Sequence, residues 1–315
     1  MSPAEIFDTP KAVLAPIAGF SDVGFRRLCA RAGAALTYTE MISAKGLVYG
    51  SVKTEDLLHT TDAEKVKAVQ IFGREPEIML AAARHPALEK FDIVDVNMGC
   101  PVPKIVGNGE GSALLKEPEQ AAKIVRALKL SGKHVTVKFR IGFEQNSRTG
   151  VDFAKILQDA GAELLTVHGR TREQFYSGRA DREYIAEVVR AVDIPVLANG
   201  DVDSVDGYRD MLGVTGAAGV MIARGALGQP WLFSDIAGVK RLWRTRREAI
   251  DEHIATMLAF HSPVYVAANM KKHLAYFVKG LAGGKAFKQR VFESTSLEEL
   301  TAAVRECELL DIPIA

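Results

Sequence analysis

Residues Phe91–Gly111 read FDIVDVNMGCPVPKIVGNGEG. The stretch opens as an apolar run punctuated by two aspartates, the pattern of a parallel strand buried on both faces. It breaks at Asn97-Met98-Gly99-Cys100-Pro101. A strand ending in Gly-Cys-Pro sets a thiol on a sharp turn just past its carboxyl end, where α/β barrels and open α/β sheets carry their chemistry. Gly107, Gly109 and Gly111 follow, so the segment bearing the thiol is expected to be mobile. Cys100 has two readings, a small buried hydrophobe or a working thiol. Pro101, Pro103 and the flanking glycines speak against a packed core position.

Outward from this stretch, short runs rich in Val, Ile, Leu and Thr give eight candidate strands: 13–17, 36–40, 68–72, 93–97, 135–140, 164–168, 196–199 and 219–223. Between them lie segments of helical apolar spacing, at 22–32, 75–84, 118–130, 151–160, 182–192 and 204–212. Glu75-Pro76-Glu77 and Glu117-Pro118-Glu119 carry a proline suited to a first helical position. Strand and helix in alternation imply a parallel sheet, and eight such units in this length predict a (β/α)8 TIM barrel. A doubly wound open sheet is the competing arrangement. Ala15-Pro16-Ile17-Ala18-Gly19 after the first strand lacks the glycine spacing of a dinucleotide fingerprint. After Trp231 the strand pattern stops, and helices are expected through Arg244 and His261, over 264–279, and through Leu297–Leu310. Gly280, Gly283 and Gly284 break that run. A boundary near residue 236 leaves a small all-helical domain with too few apolar positions for a large core of its own.

The chain has 315 residues, 48% hydrophobic and 25% charged, as in an ordinary globular protein. Its three cysteines, Cys29, Cys100 and Cys307, are far apart and in no ligand spacing, which suggests neither a disulfide framework nor a metal site. A reducing cytoplasm, no export signal at MSPAEIFDTPK and no membrane span are expected. Net charge is +1, but Trp231–Arg290 holds eleven Lys or Arg against four Asp or Glu, and Val291–Ala315 one against six. A neutral body therefore carries a basic C-terminal segment and an acidic tail; the plainest reading of such runs is solvated helix faces.

Nearly every predicted strand carries a polar residue at or near its end: Glu40, Gln70, Asn97 with Cys100, Lys138 with Arg140, His168 with Arg170, Asn199-Gly200-Asp201, and Ala223-Arg224-Gly225. Such a ring points to a ligand with several hydrogen-bonding edges. Loops after strands seven and eight of these barrels often hold phosphate, and Arg224 supplies a cation for it. A flavin mononucleotide suits the rest. Lys138 would stabilise negative charge on a reduced ring, and Gln70 offers an amide to its polar edge. Lys138 also reads as a Schiff-base lysine or as one paired to a carboxylate, and spacing does not separate these. His168, with Arg170 and Arg172 behind it, faces the same mouth.

At this point the chain resembles the tRNA-dihydrouridine synthase family, and looks closest to its bacterial B-type branch. The resemblance runs almost end to end, through Leu14–Gly19, Thr39–Met41, Gln70–Gly73, Asn97–Pro101, Val137–Arg140, Val167–Arg172, Asn199–Asp201 and Met221–Trp231. It implies an FMN-binding barrel over residues 1–236 and a helical tRNA-binding domain over 237–315. It further implies FMN reduced by NADPH, hydride passing from flavin N5 to uracil C6, and Cys100 protonating C5. By position, Pro16, Ile17, Ala18, Gln70, Lys138, His168, Asn199, Gly200, Asp201, Ala223 and Arg224 would hold FMN. Asn97, Arg140 and Arg170 would address the uracil or its phosphate. A base must leave its stack to be reached, so backbone contacts have to offset unstacking. Arg244, Arg246, Arg247, Lys271, Lys272, Lys279, Lys285, Lys288 and Arg290 are the phosphate-contact candidates. Met270-Lys271-Lys272-His273-Leu274 resembles the family's basic-histidine helix, with Lys271 where the family often has Arg, which keeps the charge but loses a bidentate fork. The implied partner is tRNA, met at the D-loop by a monomer without metal.

Three rivals remain at this level: an FMN-dependent small-molecule reductase of the dihydroorotate dehydrogenase or ene-reductase kind, a Schiff-base lyase using Lys138, and a non-catalytic RNA-binding module. The first gives no reason for the basic C-terminal segment.

Overall fold

A run such as Ile93-Val94-Asp95-Val96 has apolar side chains on both faces, so its strand needs helices on one side and a filled interior on the other. The computed structural model describes residues 1–9 and 11–314, and of Val52 and Lys53 the backbone alone. It meets that need with eight parallel strands closed into a barrel in sequential order, β1 pairing with β8. They are β1 Lys11–Leu14, β2 Thr37–Ser43, β3 Lys67–Phe72, β4 Ile93–Met98, β5 His134–Arg140, β6 Leu164–His168, β7 Val196–Asn199 and β8 Gly219–Ile222. The eight predicted strands are therefore all present, and the open-sheet alternative falls. β2 runs on to Ser43, its register shifting between Tyr38 and Met41.

A short helix α1 (Pro3–Ile6) precedes the barrel; α2 (Val23–Arg31), α3 (Ala44–Val48), α4 (Val52–Glu55), α5 (Pro76–Ala83), α6 (Pro103–Gly107), α7 (Pro118–Lys129), α8 (Gly150–Asp159), α9 (Arg182–Ala191) and α10 (Val205–Thr215) connect its strands. Inside the barrel Val13, Tyr38, Ala68, Ile93, Leu164, Leu197 and Met221 form one apolar cluster, with Ile6 and Phe7 of the α1 region packed into it. Val94, Val96 and Met98 point the other way, into the larger cluster beneath the helices. Many helices start on a side-chain cap; Asp22, Asp181 and Ser204 accept from the backbone N–H of Phe25, Tyr184 and Gly207, worth ~1 kcal/mol each.

Past β8, α11 (Leu232–Ala237) leads to α12 (Arg246–Leu258), α13 (Pro263–Phe277), α14 (Gly284–Glu293) and α15 (Leu297–Arg305). The predicted charged helix is shorter than expected, and the glycine run is a turn that starts α14, with Gly283 left-handed at its N-cap. As expected, these helices lean on the barrel: Ile250, Met257, Met270, Leu274 and Phe277 belong to the same apolar cluster as the strand faces. A polar contact joins them too. Asp22, the cap of α2, accepts from Nε2 of His253 on α12 at 2.9 Å and from Nε2 of His273 on α13 at 2.8 Å.

Candidate active site at the carboxyl end of the barrel

The ladder register decides which side chains meet at the mouth. Asn97 on β4 lies beside Lys138 on β5, Arg140 beside His168 on β6, and His168 beside Asn199 on β7. One interior layer deeper, Gln70, Asp95 and Thr136 are register neighbours on β3, β4 and β5. A cavity of about 890 Å³ opens at this end.

Most of the residues singled out from the sequence line that cavity: Pro16, Ile17, Ala18, Asn97, Cys100, Lys138, Arg140, His168, Arg170, Asn199, Gly200, Asp201, Ala223 and Arg224. Gln70, Lys271 and Lys272 do not. Gln70 is buried, its Nε2 donating to Asp95 Oδ2 at 2.7 Å and its Oε1 accepting from Asn97 Nδ2 at 2.8 Å. Lys271 donates to the carbonyls of Phe292 and Ser294 at the end of α14, and Lys272 to Asn269 while lying over the Phe20 ring.

The turn at Cys100 is held from several sides. Asn97 Oδ1 accepts from the backbone N–H of Gly99 at 3.1 Å and of Cys100 at 2.8 Å, and Arg140 Nε donates to Gly99 O at 2.8 Å. Ser112 donates to the Cys100 carbonyl through both its N–H and its Oγ, so the segment expected to be mobile folds back and ties to the turn. The thiol is half-buried on the cavity wall. Burial pushes its pKa up, against the pull of Arg140 and Lys138, so it stays a protonated thiol at neutral pH.

Positive charge dominates the wall. Lys138 makes no hydrogen bond or ion pair among the described residues, and burial together with the neighbouring Arg140 lowers it to about 8. Arg140 donates to the carbonyls of Thr171 and Phe175, and burial lowers it to about 10, which leaves it cationic. Arg170 is buried, with its guanidinium on Asp201 at 2.7 Å and on the Ser177 and Gly178 carbonyls; it holds the loop after β6 to the loop after β7. Burial and these cations keep His168 well below its ordinary pKa, so it is a neutral imidazole. Arg224 is exposed with no carboxylate partner among the described residues, its guanidinium 4.7 Å from the Tyr176 ring centroid. The loops after β7 and β8 are pressed together: a Cβ on Gly225 would stand 2.1 Å from Val202 O.

The helical segment closes one side. Tyr276, Phe277 and Lys279 from the end of α13 and Arg246 from α12 line the same cavity as Phe20 and Trp231. Arg246 lies over Trp231 at 5.7 Å. Phe20 meets the rings of His273 and Tyr276 edge-on at 5.3 and 5.4 Å. Phe20 and Tyr276 were not singled out from the sequence. The available signal was helical spacing, which puts Tyr276 on the face of Lys272 and His273. Of the basic candidates, Lys279, Lys285 and Lys288 make no side-chain hydrogen bond or ion pair among the described residues. Arg247 is bound to Asp311 and the Cys307 carbonyl, Arg290 to Glu306, and Arg244 to Glu248.

The model of a known protein family, described as dihydrouridine synthase (Dus), matches residues 13–312. The chain belongs to the dihydrouridine synthase family. It is similar to a protein of Rhizobium leguminosarum named probable tRNA-dihydrouridine synthase, 36% identical over 96% of this chain and 95% of that one. It is equally similar to tRNA-dihydrouridine synthase B of Pseudomonas syringae, 36% identical over 93% and 90%. A third relative, probable tRNA-dihydrouridine synthase 1 of Synechocystis, is 38% identical over 92% and 84%. Among solved structures, a 2-naphthoyl-CoA reductase in complex with 2-naphthoyl-CoA aligns with a TM-score of 0.56 at 10% identity, over 73% of this chain and 50% of that chain, a likeness of fold alone.

Among the described residues no helix is long and apolar enough to cross a membrane. Among the described residues one ligand-type group lies outside the cavity: Asp22, His253 and His273, whose ligand atoms fall within 4.8 Å of one another. Both imidazoles already donate Nε2–H to the carboxylate, and His253 Nδ1 is buried without a partner among the described residues. A metal on Nε2 would turn that nitrogen into a buried, unpaired N–H donor, whereas metal-bound histidines almost always give this proton to a partner. The cluster is a hydrogen-bonded link between α2, α12 and α13.

Proposed function

We propose that this protein reduces uridines of tRNA to 5,6-dihydrouridine, using FMN held at the barrel mouth and NADPH as reductant. The observation that carries the reading is a protonated, half-buried thiol at Cys100 on the wall of a roughly 890 Å³ cavity also lined by Lys138 and Lys279, which have no hydrogen-bond or ion-pair partner among the described residues. The donor set suits a flavin mononucleotide. Lys138 offers an ammonium without a hydrogen-bond or ion-pair partner among the described residues, Arg224 a guanidinium beside the β7 and β8 loops, and Pro16-Ile17-Ala18 an apolar edge.

In this reading Lys138 would stabilise negative charge on a bound ring, and Arg224 with the loops at Asn199–Asp201 and Ala223 would hold the phosphate. The chemistry a bound FMN supplies is hydride delivery from N5 to uracil C6 after reduction by NADPH. Addition at C6 leaves negative charge that must be quenched at C5. Cys100 gives up its proton there, and Arg140 and Lys138 stabilise the thiolate left behind. Tyr176, flanked by the guanidinium groups of Arg140 and Arg224, stands at the lip where an extruded base enters. Residues 1–236 act as the catalytic unit and 237–315 as the RNA-binding unit, with Lys279, Arg246, Lys285 and Lys288 as the cations free to meet phosphates and the D-loop as the target.

The wall built by Tyr276, Phe277 and Lys279 favours a macromolecular substrate, because a small-molecule reductase has no use for a basic helix end at its mouth. The test is nucleoside mass spectrometry of tRNA from a strain lacking this gene and any second such enzyme. Wild-type protein restores dihydrouridine and Cys100→Ala does not. Dihydrouridine that persists without the gene, or that Cys100→Ala restores in full, overturns the reading.

A further inference from the structure

Beneath the mouth lies a carboxylate to which the reaction assigns no task. Asp95 is completely buried in the barrel interior, one layer below Asn97. Thr136 Oγ1 donates to its Oδ1 at 2.6 Å and Gln70 Nε2 to its Oδ2 at 2.7 Å. The sequence showed it only as a charge interrupting an apolar strand.

Its position has a directional consequence. An ionised carboxylate accepts and does not donate, so Gln70 must turn its amide nitrogen toward Asp95. That leaves Gln70 Oε1 facing Asn97, which in turn must present Nδ2, at 2.8 Å. Asn97 Oδ1 is thereby aimed at the Cys100 turn, where it accepts from Gly99 and Cys100 N–H. Each amide in the series has one satisfied orientation, which the carboxylate sets at the Gln70 end and the Gly99 and Cys100 N–H groups match at the Asn97 end. Were Asn97 to flip, its NH2 would meet two backbone donors and leave buried polar groups unpaired.

We propose that Asp95 is a positioning residue of this site, setting through Gln70 and Asn97 the orientation of the turn that carries the Cys100 thiol. On this view Asn97 supports the turn through Oδ1, while Nδ2, which gives one hydrogen to Gln70, keeps a second N–H on the cavity wall. Asp95 touches neither the cavity nor the thiol and acts through the two amides. The geometry stands apart from the tRNA reading; only the turnover arm of the test rests on it.

The polarity can be inverted at one link and kept at the next. With Asp95→Asn and Gln70→Glu together, the new amide at 95 donates to the carboxylate at 70, whose other oxygen still accepts from Asn97 Nδ2. Size and shape hardly change. Asp95→Leu instead removes the acceptor that orients Gln70.

The measurement is the rate at which iodoacetamide alkylates Cys100 in Cys307→Ser protein without flavin or tRNA, Cys29 being buried. A loosened turn exposes the half-buried thiol. Asp95→Leu is expected to raise the rate about tenfold, the effect of losing one charge-assisted buried hydrogen bond, with the double variant within about threefold of the parent. Turnover on tRNA, corrected for folded fraction by circular dichroism, should fall about tenfold in Asp95→Leu, and the double variant is read by alkylation alone. If Asp95→Leu does not fold, Gln70→Met cuts the series one link later and carries the same expectation.

A folded Asp95→Leu or Gln70→Met alkylated at the parent rate overturns the proposal, as does a double variant altered as much as the single. Wild-type protein that makes no dihydrouridine overturns the tRNA reading and leaves the alkylation result to decide this one.

Discussion

Gly228, in the loop after β8, lies against the backbone of Tyr276 on α13: a Cβ on Gly228 would stand 2.4 Å from both the carbonyl carbon and oxygen of Tyr276. This contact seats the last turn of α13 on the barrel rim, where Tyr276, Phe277 and Lys279 become cavity wall. Gly228 also has φ +77, a conformation that resists a side chain on its own account. Gly228→Ala should therefore destabilise the fold by about 2–4 kcal/mol, strain and overpacking acting together, and reduce cofactor retention. Urea denaturation and residual flavin absorbance after gel filtration check both.

On the proposed function, Lys138 should give flavin binding a pH dependence. Its ammonium is lowered to about 8 in the ligand-free site, by burial first and Arg140 second. The charged form is full well below that value and is lost as pH rises through it, so affinity for an anionic ligand should hold to about pH 7 and decline above 8. A decline of roughly tenfold in FMN affinity by pH 9.5 is expected from losing one buried cation. Lys138→Met should bind weakly at pH 7 and show little change toward 9.5. Titration of the apoprotein with FMN, followed by fluorescence quenching, reads both curves.

Arg26 and Glu64 form an ion pair with almost no exposure on either side, Nε to Oε2 at 2.9 Å. Arg26 also donates to the carbonyls of Ser21 and His59, and Glu64 accepts from Thr37 Oγ1 and Thr61 N–H. The pair ties the start of α2 to the segment entering β3. Glu64→Ala should cost about 3–5 kcal/mol because the guanidinium is left buried without its counter-charge, whereas Arg26→Met with Glu64→Leu should lose much less. Urea midpoints of the three proteins decide; equal losses in the single and double variants would show that the pair is not the source.

Much of this was legible beforehand, and the limits have physical causes. Strands 164–168 and 196–199 match residue for residue because largely apolar runs end abruptly at His168-Gly169 and Asn199-Gly200. The polar ends lie around one cavity because parallel strands of a closed barrel present their carboxyl ends on one face. Period-2 alternation tells which face a side chain takes but not its depth, so Gln70 and Asn97 looked alike although only Asn97 reaches the cavity wall. Basic residues were harder. Whether Lys271 meets a phosphate or the Ser294 carbonyl depends on how α14 packs, and Arg247 finds Asp311 only through the fold of α15. Such partners are set by tertiary contact and leave no local pattern.

The link between Asp22 and the two histidines should make acid loosen the helical segment first. Burial holds the His273 imidazole at about 4 against an ordinary 6.5, an effect that Asp22 opposes and His253 reinforces. The unfolded chain thus takes up a proton that the folded one refuses between those values. The resulting stability is complete above 6.5, is lost as pH falls toward 4, and changes no further below it, in all about 3 kcal/mol as an upper figure. Asp22, held well below its ordinary value by the two imidazoles despite its burial, adds a loss of the same sign at still lower pH. His273→Phe removes the first titration. It should be less stable than wild type at pH 7.5, where Asp22 misses a donor, yet show a flatter slope of unfolding free energy between pH 6.5 and 4.5. Hydrogen exchange at pH 5 should find the added opening in residues 263–277 before the strands of the barrel. A His273→Phe slope as steep as the wild type's over that window would assign the acid sensitivity to other groups.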